Sequence, residues 1–417
     1  MLVRERFVRR VGRTFPAPLV AVLLVAISLL LRLPAVLGYG GPPAAHPFNV
    51  FEMAHVGAYS DIAHLYFRDR LWLDPTPYRD FRFEYPVLTG CFVWLASAVA
   101  GGGIATYVLL SAALLAACAA GAVVALRSLP GANPWIFAAA PALAFYGVLN
   151  WDLFGVVLML FALVLIRRGR DAAGGMMLGL ATAAKLFPAV ALPVAVAIRL
   201  VEGRRIAAVR LACAFAGAFA VVNAPFALQA SGGLRASWLY FFRFNVERPP
   251  RATIWKPLVH AHSNLVTTPL LAAGLVAILV CAIRARHRPG DSMIAGSVAS
   301  LLWLFGIAKV YSPQYAIWIF AALALVAAPA RIVVAFAAID ALVAVTTFGP
   351  LYPGFGPFAP HGAPLELQWG AYGLRQVATV VLAAWVVRER LLPLREGRAY
   401  RAGLSTTTGI SRAPART

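Results

Sequence analysis

The sequence predicts an all-α protein that crosses a membrane many times, and three observations carry that expectation. Hydrophobic residues make up 61% of the 417 and charged residues only 13%. The apolar residues fall in runs near the roughly 20 residues an α-helix needs to cross about 30 Å of hydrocarbon. The basic residues cluster between those runs instead of lining one face. A chain with no polar face to show to water, in a solvent that cannot satisfy its backbone, is left with helices.

Taken in order, Arg4, Arg6, Arg9, Arg10 and Arg13 precede a first span at about residues 15–38, too long an apolar core for a cleaved signal. A first outer loop follows at about 39–83, with two short interfacial helices. Spans are expected near 84–100, 104–126, 134–149 and 152–166. Segment 172–198 has Arg167, Arg168 and Arg170 before it and Arg199, Arg204 and Arg205 after it. The positive-inside rule therefore makes it leave and re-enter one face, as two short helices broken near Lys185 to Pro188. A span at 206–226, a second outer loop at about 228–261, and spans near 263–283, 292–308, 313–329, 332–348 and 370–387 complete one multispan unit, 1–387.

This gives about 11–13 membrane segments, short or re-entrant helices included. Arg284, Arg286, Arg288 and the arginines from Arg388 onward put both termini in the cytoplasm of a plasma-membrane protein. The basic tail 388–417, rich in Ser, Thr and Gly, is expected to be disordered. Arginines flanking both ends of the interval leave one pass too many or too few between 84 and 150. One segment there must be short or re-entrant.

A formal charge of +21 would suggest nucleic acid in a soluble protein, but these arginines are topology signals without an aromatic-interleaved stripe, so no nucleic-acid partner is expected. Arginine supplies all but three of the 37 basic residues, a bias expected of a GC-rich bacterial genome. Cys91, Cys118, Cys213 and Cys281 lie in apolar runs with no metal-ligand spacing and read as small buried hydrophobes, not disulfides.

Six acids (Glu52, Asp61, Asp69, Asp74, Asp80, Glu84) crowd the first outer loop, out of 16 in the chain. A helix over 57–72 would align Asp61, His64, Arg68 and Trp72 on one face, as a solvated interfacial surface or as a site. Asp61, beside Tyr59 and Tyr66, is the better catalytic candidate, because an apolar wall there could shape a pocket around a base. Glu84 at the start of the second span is a helix cap or a cavity acid. Asn150 and Asp152 flank Trp151 at the outer end of two spans, as a polar turn or as part of the same cavity.

Lys185, Lys256 and Lys309, the only lysines, all face outward in this topology, and an ammonium beside an apolar groove suits a phosphate. The second loop adds Arg243, Arg248, Arg251, His260 and His262 among aromatics. These would contact anionic headgroups or a lipid-linked phosphate. The His260/His262 pair lacks a third ligand in sequence and reads weakly as a metal site.

These blocks resemble glycosyltransferase family 87, which includes the actinobacterial polyprenyl-phosphate-mannose-dependent mannosyltransferases. The resemblance rests on Tyr59-Ser60-Asp61-Ile62, Leu65-Tyr66, Pro77-Tyr78 and Glu84-Tyr85-Pro86-Val87-Leu88-Thr89-Gly90. It continues through Asn150-Trp151-Asp152-Leu153-Phe154, Ala184-Lys185-Leu186-Phe187-Pro188, and Lys309-Val310-Tyr311-Ser312-Pro313-Gln314-Tyr315 with Trp318. The last block and the spacing from Pro77-Tyr78 to Tyr85-Pro86 also resemble the catalytic subunit of the eukaryotic enzyme that adds the first mannose to glycosylphosphatidylinositol.

The resemblance implies a GT-C fold, an active site facing away from the cytoplasm, a polyprenyl-phosphate sugar donor, and inversion at the anomeric carbon. Asp61 matches the acid presumed to be the base; Tyr85, Tyr311 and Gln314 fall in the matching blocks. Many GT-C relatives carry a paired acidic motif where this chain reads Tyr59-Ser60-Asp61, so no cofactor is expected and divalent-metal dependence stays open. The expected partners are the donor, a lipid or glycan acceptor, and the bilayer. The alternative is a transporter or lipid flippase, which should show a polar route through both leaflets.

Overall fold

The computed structural model describes residues 16–37, 53–54, 56–228, 232–259, 262–285, 289–353 and 363–392. Among these the protein is helical throughout, with two isolated β-bridges, Pro77 with Phe81 and Arg251 with Val310.

The chain runs through α1 (Ala17–Leu37), α2 (Asp61–Arg68), α3 (Val87–Ala100), α4 (Ile104–Arg127), α5 (Pro134–Tyr146), α6 (Asp152–Arg167), α7 (Asp171–Ala184) and α8 (Ala191–Val201). It continues through α9 (Arg205–Ala227), α10 (Gly232–Glu247), α11 (Trp255–Val259), α12 (Ser263–Arg284), α13 (Pro289–Ile307), α14 (Ala316–Leu325), α15 (Ala330–Phe348) and α16 (Leu365–Val386). Among the described residues, seven helices are long and apolar enough to cross a membrane. Shorter apolar helices lie between them.

The membrane-length helices run between two ends of the bundle. At one end, Asn133 N–H donates to the Ala324 carbonyl (2.8 Å) and Arg167 pairs with Asp291 (3.4 Å). Buried Asp171 there holds Arg199 (2.6 Å) and Arg204 (3.1 Å), tying two interhelical turns together. Arg127, Arg168, Arg170, Arg205 and Arg284 sit at helix termini of this same end, as the arginine clusters predict. Helices α7 and α9 pack backbone to backbone, and a Cβ built on Gly175 or Gly179 would strike the carbonyls of Leu211 and Phe215. Small residues four apart permit that approach.

The missing pass between 84 and 150 is α3. Thr89 Oγ1 near its start donates to the Ala184 carbonyl (2.6 Å), and Ser97 Oγ near its finish donates to Leu71 (2.7 Å). Tyr66 OH meanwhile reaches the Gly102 carbonyl (2.6 Å). Both ends of α3 therefore sit at the end opposite the arginines, and the expected span 84–100 does not cross. Gly101, in the left-handed region at φ 57°, ends the helix and turns the chain into α4.

Other expectations shift for local reasons. The helix expected over 57–72 stops at Arg68, because Arg70 turns left-handed (φ 53°) and starts a short 3₁₀ turn at Leu71–Leu73, so Trp72 leaves the face shared by Asp61 and His64. Span 134–149 is two half-helices, Pro134–Ala138 and Pro141–Tyr146, broken where Pro141 starts the second. Segment 172–198 breaks as expected, with a 3₁₀ turn at Phe187–Val190. Glu84 does not cap α3, whose N-cap is Pro86. The cysteines are free, but Cys91 and Cys213 are exposed on helix surfaces, where a bilayer makes an outward apolar side chain unremarkable in energy. Residues 388–391 continue α16 as a π turn (Val387–Leu391). The rest of the expected tail, together with Glu52 and His260, lies outside the described residues.

Candidate active site

Helix α2 begins the site. Ser60 Oγ accepts the Ile62 N–H (3.2 Å) as the cap and donates to the Val148 carbonyl (2.8 Å), while Asp61 N–H donates to Leu149 (2.9 Å). The N-terminus of α2 is thereby docked on the non-helical segment that follows α5. That segment is pinned from its other side by α1: Val148 N–H donates to Ser28 Oγ (3.0 Å), and buried Arg32 donates to the Phe145 carbonyl. Backbone left unpaired at such depth would be costly, and these contacts satisfy it.

Asp61 lies at the centre of a hydrogen-bonded cluster. Tyr59 OH donates to its Oδ1 (2.6 Å) and Asn150 Nδ2 to its Oδ2 (2.6 Å). Asn150 Nδ2 also donates to Tyr85 OH (2.6 Å), and Asn150 Oδ1 accepts from Trp151 N–H (2.6 Å) and Lys185 Nζ (3.3 Å). Donors on one side and acceptors on the other leave the amide a single sensible orientation. Lys185 Nζ lies 3.4 Å from Asp152, whose Oδ1 accepts from Trp318 Nε1 (2.8 Å). Lys185 also stands 4.7 Å from the Tyr85 ring centroid. Gly155 makes room here, since a Cβ on it would press on both Trp318 and the Lys185 stem at 3.0–3.1 Å.

Burial divides this cluster. Asn150, Asp152 and Lys185 are 1%, 0% and 5% exposed, whereas Asp61 and Tyr59 are half-buried. Burial first, then the neighbouring Asp61, pushes the Tyr59 phenol well above its ordinary value, so it stays a donor to Asp61. The same two causes raise Tyr85. On the rim, Arg68 pairs with Glu84 (2.9 Å) and Asp69 (2.7 Å), and the His64 ring lies 6.1 Å from that of Tyr59. Burial lowers the His64 pKa, against the opposing pull of Asp61.

A second group of cations stands on the connections after α10 and α13. Arg251 N–H donates to the Lys309 carbonyl (3.0 Å) and Tyr311 N–H to the Arg251 carbonyl (3.1 Å), which joins the two connections side by side. Burial, then the Arg248 charge, lowers the Lys309 pKa. Arg248 stands 5.4 Å from the Phe244 ring centroid, and among the described residues its buried Nε has no hydrogen-bond partner. The charge of Arg251 opposes the rise in the Tyr59 pKa.

Of the residues singled out from sequence, Asp61, Tyr59, Tyr85, Asn150, Asp152 and Lys185 come together in one network, with His64, Arg68 and Glu84 on its rim. Arg248 and Lys309 form the neighbouring cationic group, and buried Tyr311 and Gln314 lie on the connection between α13 and α14. Arg243 is exposed on α10, Lys256 is exposed 4.3 Å above the Trp369 ring centroid, and His262 is exposed as the N-cap of α12. Lys185, expected as a phosphate ligand, is buried with its ammonium engaged by Asp152 and Asn150. Trp318, which the matching blocks include without a role, joins the network through Asp152.

Among the described residues, no three or more His, Cys, Asp and Glu side chains group as a metal ion would need. A cavity of about 420 Å³ opens between Leu129, Arg167, Asp291 and Arg390, and another between the turns at 169–173 and 203–210. Both lie at the arginine end, so the functional reading rests on the polar cluster at the opposite end.

A family model for glycosyltransferase family 87 matches residues 83–313, more than half of the chain. The chain belongs to glycosyltransferase family 87. The matched stretch runs from the Glu84-Tyr85-Pro86 block through Asn150, Asp152 and Lys185 to Lys309 and Pro313; Tyr59 and Asp61 precede it. No curated protein matches the chain. As a family 87 member with several membrane-length helices, the protein is a multi-pass membrane glycosyltransferase, which implies a sugar donor, an acceptor and a lipid bilayer as its partners. Family membership favours transfer over the transporter reading.

Proposed function

We propose that this family 87 glycosyltransferase transfers mannose from a polyprenyl-phosphate carrier to a lipid or cell-envelope glycan acceptor. The reaction takes place on the extracytoplasmic face of the plasma membrane and inverts the anomeric centre. The observation that supports it is the half-buried Asp61 carboxyl, with one donor on each oxygen, at the bundle end opposite the arginine clusters. Each carboxylate oxygen has two acceptor sites, so one on each remains for an incoming hydroxyl. The positive-inside rule makes the arginine end cytoplasmic and the Asp61 end outer.

In a single displacement the acceptor hydroxyl gives its proton to Asp61 while its oxygen bonds to the anomeric carbon. The bond from that carbon to the carrier phosphate breaks, and the phosphate leaves with the electron pair. Arg248 and Lys309 stabilise the leaving charge: the Arg248 charge helps lower the Lys309 pKa, and a bound anion relieves that repulsion. Lys185 acts one step back, fixing the Asn150 amide that orients Asp61. The reaction as written uses no cofactor.

The test is transfer by the purified protein in lipid nanodiscs, with polyprenyl-phosphate mannose, polyprenyl-phosphate arabinofuranose and nucleotide sugars offered separately. Transfer from the lipid-linked mannose alone is expected. Transfer only from a nucleotide sugar would overturn the donor assignment.

A further inference from the structure

The geometry points to Arg375, in the middle of α16 and beyond the stretch matched by the family model, as a positioning residue for the transfer reaction. It holds the connection between α13 and α14 that carries Lys309, Tyr311 and Gln314.

An arginine with 0% exposure inside a membrane helix is costly unless its donors are used. Arg375 Nη1 donates to the Pro313 carbonyl (3.2 Å), and Nη2 donates to the Tyr311 carbonyl. Its guanidinium lies 4.0 Å from the Tyr311 ring centroid. Residues between Ile307 and Pro313 are not helical, and their carbonyls rely on scattered donors: Ser312 on the Tyr315 N–H, Lys309 on the Arg251 N–H. The guanidinium fork gives the Tyr311 carbonyl its donor and the Pro313 carbonyl, which also accepts the Ala316 N–H, a second one.

The neighbours of Arg375 continue the clamp. Gln376 Nε2 donates to the carbonyls of Gly306 (3.0 Å) and Ala308 (3.1 Å), and its Oε1 accepts the Ile254 N–H (2.9 Å). Thr379 Oγ1 bonds the Tyr311 hydroxyl (2.9 Å). One helix face thus fixes both connections, the one after α10 through Ile254 and the one after α13 through Gly306, Ala308, Tyr311 and Pro313.

Charge neutralisation alone does not explain the arrangement. The buried partner Asp340 stands 3.5 Å away through one oxygen, while its Oδ2 and the Arg375 Nε have no hydrogen-bond partner among the described residues. A residue kept only to pair with Asp340 would be better replaced, with it, by two apolar side chains. The two carbonyl bonds and the ring contact are what such a replacement removes.

The inference rests on the proposed transfer reaction, and the test separates the two. Wild-type protein and Arg375→Lys are assayed in nanodiscs with polyprenyl-phosphate mannose, alongside thermal unfolding. A lysine keeps a charge for Asp340 but cannot span two carbonyls. The expected result is at least a tenfold loss of kcat/KM for the donor, an unchanged acceptor KM and an unchanged pH profile, with a thermal midpoint near wild type. Wild-type kinetics in Arg375→Lys would overturn the positioning role while leaving the transfer reaction standing. Absence of transfer by the wild type would instead remove the proposed function. Should Arg375→Lys not fold, Thr379→Val takes its place. It leaves the ion pair intact and removes the Thr379 hydroxyl's bonds to the Tyr311 hydroxyl and to the Arg375 carbonyl of its own helix; a severalfold loss of kcat/KM supports the role and full activity overturns it.

Discussion

The side-chain nitrogen of Asn150 donates to Asp61 and to Tyr85 at the same distance, 2.6 Å, so one amide sets both the proposed base and the wall beside it. Its carbonyl is held by the Trp151 N–H and by Lys185. Replacing Asn150 with alanine removes a donor to a carboxyl group, a contact worth about 1.5–3 kcal/mol. Transfer should fall by roughly tenfold to a hundredfold, read as kcat in nanodiscs. Unchanged kcat would show that Asp61 needs no such support.

The buried pair Lys185 and Asp152 yields a stability prediction. Lys185→Met leaves Asp152 with Trp318 as a partner but without its cation, and unpairing a buried charge costs about 3–5 kcal/mol. The thermal midpoint should drop clearly, and adding Asp152→Asn should recover part of it, because a neutral amide needs no counter-charge. Equal midpoints in both variants would mean that the pair is not what holds α6 to α7.

His64 gives a pH dependence whose sign follows from its environment. Burial holds its pKa below the ordinary 6.5, with Asp61, Arg68, Asp69 and Glu84 as the charged neighbours. The unfolded chain therefore binds a proton that the folded protein resists, and stability is lost as pH falls below about 6.5. Thermal midpoints between pH 7.5 and 5 should decline less steeply for His64→Gln than for wild type. Asp69, raised by burial, contributes to both proteins and cancels in the comparison.

The close approach of α7 and α9 is tested at Gly179. A β-carbon there meets the Phe215 backbone carbonyl, which cannot rotate away, so Gly179→Ala should cost about 1–3 kcal/mol through forced separation of the helices. Gly217 on α9 faces open space, and Gly217→Ala should leave the thermal midpoint unchanged or raised.

Much of this was legible in the sequence because a bilayer simplifies the code. Arginine clusters located the helix turns at one end, and the pair Arg170 and Arg199 correctly bracketed a helix hairpin broken at Lys185. Asp61, Tyr85 and Asn150 were each named from chemistry and from matching blocks. Their convergence depends on long-range docking of α2 on residues 148–149, which no local pattern states. The course of α3 was illegible for a related reason: Val87–Ala100 is as apolar as a span, and only Ser97 and Thr89 bonding to Leu71 and Ala184 show that it lies at one end. For Lys185 the sequence shows a cation but not the Asp152 beside it. Arg375 gave a usable signal, an arginine within an expected span, that went unread.

The central claim is that Asp61 takes the acceptor proton. Asp61→Asn keeps the shape of the side chain but removes the base, and general-base contributions run at about 10²–10⁴-fold. Single-turnover transfer from polyprenyl-phosphate mannose in nanodiscs, with thermal unfolding measured on the same samples, is the direct test. A loss of at least a hundredfold with a wild-type midpoint is the predicted result; transfer within a few-fold of wild type by a folded Asp61→Asn protein would contradict it.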